Sequence, residues 1–413
     1  MANTHQGDLM TFIDNTIHPA LAAAHADQAL ETDEVIVGGG LAGSLAAAML
    51  GLQGHRVVLV DPNEVYPSGL RCEKISARQV AMLRQSPIVD DVLSAATPYR
   101  EFWVARFGRI VEKKPLKGHY GIAYDTLVNR VRKSIPEDVV KIAAKVSSMA
   151  CSDQRQTVSL STGEVIQARL VILATGLNEG LRRSLGITRE VISKCHSVTL
   201  GFDLKPIGRR SFDFPSLTYY GERTTDRVAY ITLFPIGEAM RANLMVYRPV
   251  DDPYVRAMRE QPDASLAGLL PGLESIVGPA LVDGPVKVRS IDLYRSQGHL
   301  QPGVVLVGDA FGTACPAAGT GTDKVYTDVI QLCNVHVSQW MQSAGMGVEK
   351  IATFYADPLK AACDRRSFNE AFSLRAASVD EGLSWWARRW VYFAGQLARG
   401  SIRQMLTRLP VRT

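Results

Sequence analysis

The sequence predicts a mixed α/β fold: a discontinuous domain around a parallel sheet, an antiparallel sheet inserted in it, and helices at the C-terminal end. Three observations predict it. At 35–43 an apolar strand runs into Gly38, Gly40 and Gly43 and on into an Ala-rich helix. At 304–322 a second apolar strand ends in Gly308-Asp309, and a glycine-rich loop then opens a long helix. Between them, much of 196–247 alternates apolar and polar residues, the pattern of an antiparallel sheet with one covered face.

In chain order, residues 1–30 contain no Lys or Arg and no long apolar core. They read as a flexible leader rather than a signal or transit peptide. The stretch 35–43 then has G-x-G-x-x-G spacing between strand and helix. Gly38 permits the tight turn, Gly40 lets the backbone approach a pyrophosphate, and Gly43 lets helix and strand pack closely. Leu41 and Ala42 open the helix, whose free N–H groups point at the phosphates. The second strand, 56–61, ends in Asp61, placed to accept hydrogen bonds from an adenosine ribose. Glycines also make ordinary turns, but strand, small-residue helix, second strand and terminal acid in this order predict a Rossmann-like FAD or NAD(P) site.

A turn-rich loop at 62–69 leads to Leu70-Arg71-Cys72-Glu73 and a helix predicted over 76–84, capped by Ser76. Two extended stretches flank Gly108, and Asp125 is read as the cap of a helix to 133. Short strands fill 139–173, the last repeating the opening theme and ending in Ala174-Thr175-Gly176. In the sheet at 196–247, Tyr219, Tyr220, Tyr230 and Phe234 are candidate substrate-lining residues, since a Tyr can hydrogen-bond or deprotonate a phenol. Alternating aromatics are at least as often plain core. Beyond 320 the chain reads as helical, with breaks near 345–347, Gly400 and Pro410. The predicted organisation is a leader (1–30), a dinucleotide domain (31–80, 120–188, 296–345), a substrate domain (81–119, 189–295) and C-terminal helices (346–413).

The segment 304–322 carries the most chemistry. Asp309, at a strand end beside a nucleotide site, suits hydrogen bonding to ribityl hydroxyls. The start of the next helix, with Pro316, Gly319, Thr320 and Gly321, offers free N–H groups and a positive dipole end to a developing anion. A reduced flavin carries its charge at N1/C2=O, which such a helix start stabilises. The plain alternative is an ordinary turn.

Gly38-x-Gly40-x-x-Gly43 early, Gly308-Asp309 late and Pro316-x-x-Gly319-x-Gly321 after it resemble the class A flavoprotein monooxygenases of the para-hydroxybenzoate hydroxylase type. The resemblance spans about 33–345. It implies FAD, with Asp61 on the adenosine ribose, Asp309 on the ribityl–pyrophosphate and Arg71 beside the flavin. It also implies NAD(P)H as a transient electron donor and a flavin C4a-hydroperoxide formed with O₂ that hydroxylates an aromatic or apolar small molecule. One departure stands out: where the family's middle motif has Asp-Gly, this chain has Thr175-Gly176. That departure leaves room for a prenyl (geranylgeranyl-type) reductase, whose Y-x-W-x-F-P segment is matched by 230–235 except for Thr232, and for a non-catalytic FAD-binding protein. The halogenase segment W-x-W-x-I-P is absent.

Composition bounds the rest. The 413 residues suggest roughly two to three domains at ~150 each. Six scattered cysteines without a C-x-x-C pair read as reduced thiols of a cytoplasmic protein. There is no H-E-x-x-H and no G-x-S-x-G, so neither a metal centre nor a hydrolase triad is predicted. The net charge of +5 resides in six arginines after residue 381, and no basic stripe elsewhere points to nucleic acid. In that tail Trp386, Trp390, Phe393 and Leu397 share one helical face. Two readings follow: peripheral contact of 382–413 with an anionic membrane, or packing of the aromatics on the body or on a homodimer partner.

Overall fold

A computed structural model describes residues 29–408 except 72 and 87, and in the last helix not the side chains of 386, 392, 396 and 401–408. Most of the predicted leader, Cys72, Arg412 and the side chains of Trp386, Arg403 and Arg408 lie outside what is described.

A five-stranded parallel sheet forms the base, in the order Val304–Leu306, Leu170–Leu173, Glu34–Val37, Val57–Val60, Val140–Ile142. Its first four strands are buried on both faces because both are covered, while the edge strand Val140–Ile142 is largely exposed. Ile36, Leu59, Ile172 and Val305 pack on the helices Leu41–Leu52, Tyr124–Lys133 and Gly321–Gln331. Their neighbours Val35, Val58, Val171 and Val304 turn the other way, towards a four-stranded sheet that includes Gln156–Leu160 and Val165–Ala168. Helix Leu41–Leu52 is buried almost all round, which explains its run of alanines.

An eight-stranded sheet stands above this base. In order it contains Ala280–Gln297, Thr188–Pro206, Ala239–Val246, Val228–Ile236, Leu217–Tyr220, Thr97–Arg106, Arg109–Gly121 and Lys74–Ile75. All its pairings are antiparallel except Leu217–Tyr220 with Thr97–Arg106. Its outer face packs on helices Pro253–Glu260 and Pro262–Leu269, and its inner face looks towards the parallel sheet's helices.

The predicted helix after Ser76 spans Ala77–Leu83, with a capping box between Ser76 and Gln79. Asp125 is not a cap: the helix begins at Tyr124, and Asp125 sits in its first turn. Gly400 is not a break either. The helix Leu383–Arg408 runs through it, and a Cβ there would lie 2.2 Å from the Val111 carbonyl oxygen. The glycine serves close approach to the hairpin. The same helix sets Trp390 and Phe393 against Phe107, with ring centroids at 6.0 and 5.6 Å, so these aromatics pack on the body. No helix among the described residues is long and apolar enough to cross a membrane.

Candidate functional site

The first glycine loop joins strand Glu34–Val37 to helix Leu41–Leu52. Gly38 has φ +103°, and a Cβ there would stand 2.6 Å from the Ala174 carbonyl oxygen. A Cβ at Gly43 would come to 1.8 Å from the Gly38 carbonyl oxygen. Gly40 differs: its backbone is extended, and a Cβ would meet nothing closer than Tyr66 at 3.9 Å. Two glycines therefore lock the loop to its strands, and the third leaves a free approach to helix N–H groups that no side chain caps.

Asp61 closes the neighbouring strand. Its carboxylate accepts from the Gly39 N–H at 2.6 Å and the Asn63 N–H at 2.9 Å. Arg132 reaches it at 3.2 Å and donates to the carbonyls of Gly39, Asn63 and Glu64. This guanidinium ties the glycine loop to the loop after Asp61. Sequence reasoning missed it, because nothing in a helical run marks an arginine that reaches across a fold. Ala174, Thr175 and Gly176 stand beside the Gly38 turn, with Thr175 Cα 3.2 Å from the position of a Gly38 Cβ. They do not line the cavity described next.

On the other side, the Gly308 N–H donates to Asp328 at 2.9 Å. Asp328 pairs with Lys360 at 2.7 Å, both 1 % exposed, and Asp364 joins Lys360 to Lys324. This buried network fixes the turn that presents Asp309, whose carboxylate is part-exposed and 3.4 Å from Arg71. Gly319 has φ +71° with nothing within 4 Å of its Cβ position. The Thr320 hydroxyl turns away to Ser367 at 2.6 Å, so the first N–H groups of helix Gly321–Gln331 carry no side-chain cap.

A cavity of about 620 Å³ opens between the two sheets. Leu41, Arg71, Asp309, Pro316, Gly319, Thr320 and Gly321 line it, so the start of the first helix, the second glycine-rich loop and the segment around Arg71 meet there, while Gly38, Gly40, Ala42, Gly43 and Asp61 are not among its lining residues. The open approach at Gly40, the acid at Asp61, two uncapped helix starts and the room left at Gly319 fit a dinucleotide flavin.

The far wall differs from expectation. Tyr219, Tyr220, Tyr230 and Phe234 are not among the lining residues. Tyr219 pairs with Ile231 and so shares the outer face with Leu217 and Leu233, where its hydroxyl donates to Glu222. Tyr230 is on the inner face, but its hydroxyl is spent on the Ala317 carbonyl, and Tyr220 packs edge-on against it. Phe234 is 1 % exposed under the Lys74 ammonium. The wall is instead built by Tyr99, Phe102, Leu116, His119 and Ile291, with Glu73, Lys74, Lys114, Thr199, Asn243 and Arg289 among its polar groups. A Cβ at Gly201 would fall 2.4 Å from a Leu70 methyl, so Leu70 nests on the bare backbone of the inserted sheet. That seating sends Arg71 towards Asp309 and Glu73 towards Arg241. Burial pushes the Glu73 carboxyl up, against the pull of Arg241. Burial and the charge of Arg71 push Arg289 down, and burial pushes His119 down.

Residues 31–338 match the family described as the FAD binding domain. The 3-demethoxyubiquinol 3-hydroxylase of Escherichia coli (strain K12) is 28% identical over 329 residues, covering 74% of this chain and 80% of that protein. The kynurenine 3-monooxygenase of Dictyostelium discoideum is 26% identical over 336 residues, covering 72% and 68%. The structure of p-nitrophenol 4-monooxygenase from Pseudomonas putida DLL-E4 superposes with a TM-score of 0.72 at 17% identity, covering 92% of this chain and 98% of that one. It shares the fold.

Proposed function

The chain belongs to the FAD binding domain family and is an FAD-dependent oxidoreductase; from this premise we propose that it is a monooxygenase, which uses NAD(P)H and O₂ to hydroxylate an aromatic or apolar small molecule. The observation that carries the reading is the single cavity wall shared by the helix start at Gly321, Arg71–Asp309 and an aromatic floor from the inserted sheet.

In this reading 31–80, 120–188 and 296–345 hold the cofactor, and 81–119 with 189–295 hold the substrate. Gly38, Gly40 and Gly43, with the N–H groups from Leu41 and Ala42 onward, would cradle the pyrophosphate. Asp61 would take the adenosine ribose and Asp309 the ribityl chain. When bound, FAD supplies the two-electron chemistry that activates O₂. The protein's part is to bind, orient and keep water out. The dipole end at Gly321 stabilises negative charge on the ring, and Arg71, Arg289 and Lys74 add positive potential to the same wall. Tyr99, Phe102, Leu116 and Ile291 offer an apolar seat for a flat substrate.

Purified protein should be yellow, with FAD retained, and should couple NAD(P)H oxidation to O₂ uptake when candidate phenols are added. A colourless protein that takes up no FAD refutes the reading. Saturation of a prenyl alkene without O₂ uptake would transfer it to the prenyl reductases.

A further inference from the structure

The family match ends at residue 338, yet the helix that starts at Gly321 is gripped by a helix beyond that point, Pro358–Val379. The Thr320 hydroxyl lies 2.6 Å from the Ser367 hydroxyl, Arg366 donates to Asp323 at 2.9 Å, and Lys324 pairs with Asp364. Of these contacts, the one between Asp323 and Arg366 has both partners in the cavity wall.

Asp323 sits in the first turn of helix Gly321–Gln331 and is 7 % exposed. Its other oxygen accepts from Gln79 at 2.8 Å, on helix Ala77–Leu83, and Arg78 stands 3.5 Å away. Glu370, one turn further along its helix, faces Arg366 at 3.8 Å. Two guanidiniums and two carboxylates thus form a balanced group of charges on the cavity wall. A carboxylate in a first turn stabilises its helix, but it cancels part of the positive dipole end there. The helix start that favours a reduced flavin therefore carries an anion that works against it. Arg366 is the cation that masks that anion.

We propose that the Asp323–Arg366 pair sets the reduction potential of the bound flavin. On two-electron reduction FAD takes up two electrons and one proton and becomes an anion. A fixed charge beside the ring then favours or opposes the reduced form, most strongly where water is kept out. Asp323 lowers the potential and Arg366 raises it. Arg78 has a side chain 57 % exposed and is too well solvated to take the place of Arg366. The proposal goes beyond the monooxygenase reading and rests on one part of it, the flavin ring seated at the Gly321 helix start. It makes no use of O₂ or of a substrate.

The test measures the midpoint potential of the FAD-loaded protein. Xanthine, oxidised to urate by xanthine oxidase, supplies the electrons, and a dye of known potential is the reference. Asp323→Asn should raise the potential and Arg366→Met should lower it. Each shift should be at least about fivefold in the ratio of reduced- to oxidised-flavin affinity, about 20 mV for a two-electron couple. Arg366→Lys keeps the charge and should stay near wild type, and the double variant Asp323→Asn, Arg366→Met should fall between the two single ones. Ser367→Ala removes a contact with the same helix start without changing any charge, so it should leave the potential in place. Circular dichroism and affinity for oxidised FAD show that each variant is folded; if Arg366→Met does not fold, Arg366→Gln makes the same comparison. Shifts of the two single variants in one direction, no shift in either, or an Arg366→Lys potential as low as that of Arg366→Met overturns the proposal. Those outcomes leave the monooxygenase reading standing, since O₂ coupling decides it. Protein that takes up no FAD overturns both.

Discussion

Replacing Gly40 by Val should remove FAD from a protein that otherwise folds normally. The backbone at Gly40 is extended (φ −70°, ψ −170°), a region valine occupies without strain. Its Cβ position is clear except for Tyr66 at 3.9 Å, so the apo fold loses no contact. The two γ-methyls instead fill the approach to the uncapped N–H groups of helix Leu41–Leu52. If two N–H bonds to phosphate are lost, each worth ~1.5–3 kcal/mol, affinity drops by about 3–6 kcal/mol, roughly 10²- to 10⁴-fold. Gly43→Ala is the contrasting perturbation. Its methyl would stand 1.8 Å from the Gly38 carbonyl oxygen, so helix and strand must part. Overpacking of this kind costs about 1–3 kcal/mol or more, and here it falls on the apo fold. Flavin-fluorescence titration gives the affinity, and thermal melting of the apo protein followed by circular dichroism gives the stability. Gly40→Val with wild-type FAD affinity, or with a melting temperature lowered as far as that of Gly43→Ala, refutes the division of labour between these glycines.

Arg132→Met should weaken FAD binding by about 2–4 kcal/mol, because three carbonyls and Asp61 lose their shared donor and the glycine loop loosens; titration calorimetry reads it. Lys360→Met should cost about 3–5 kcal/mol of unfolding free energy, since Asp328 is left buried without its cation; urea melts report it. Asp364 sets a pH dependence. Burial pushes its carboxyl up, but Lys324 and Lys360 outweigh burial and hold it below the ordinary 3.8. Its contribution is full above 3.8 and is lost as pH falls below, so wild type should destabilise more than Asp364→Asn in that window. Urea melts at pH 5 and pH 3 make the comparison. Because Trp390 and Phe393 are packed on Phe107, neutral vesicles should not sediment the protein, and any binding to anionic vesicles should vanish in salt. Salt-resistant sedimentation would return the tail to the membrane.

The geometry of the glycine loops was legible because its constraints are local. Gly38 and Gly43 answer to backbone sterics within a strand–turn–helix, and Asp61 to the end of the next strand, so spacing alone predicts them. The lining of the cavity was not. Tyr219 and Tyr220 differ by one position in a strand, and pairing of Tyr219 with Ile231 turns it to the outer face. Alternation reveals that two faces exist but not which one meets the cavity. Glu73 lies two positions from Arg71, yet its burial on the cavity wall depends on pairing with Arg241, far along the chain. Gly400 shows the reverse error. A glycine that reads locally as a helix stop is there because the Val111 backbone is pressed against it.

The contact of Leu70 with Gly201 has a thermodynamic consequence. Leu70 is seated on the inserted sheet, Arg71 beside it reaches Asp309 on the parallel-sheet side, and Glu73 returns to Arg241 on the inserted sheet, so this short segment links two separately cored layers. In the monooxygenase reading, a flavin that draws on Arg71 should therefore also shift the segment that follows it, and with it the wall offered to a substrate. By linkage the substrate must alter cofactor affinity by the same factor. Cofactor and substrate would then be reciprocal effectors of one another across the Leu70–Gly201 contact.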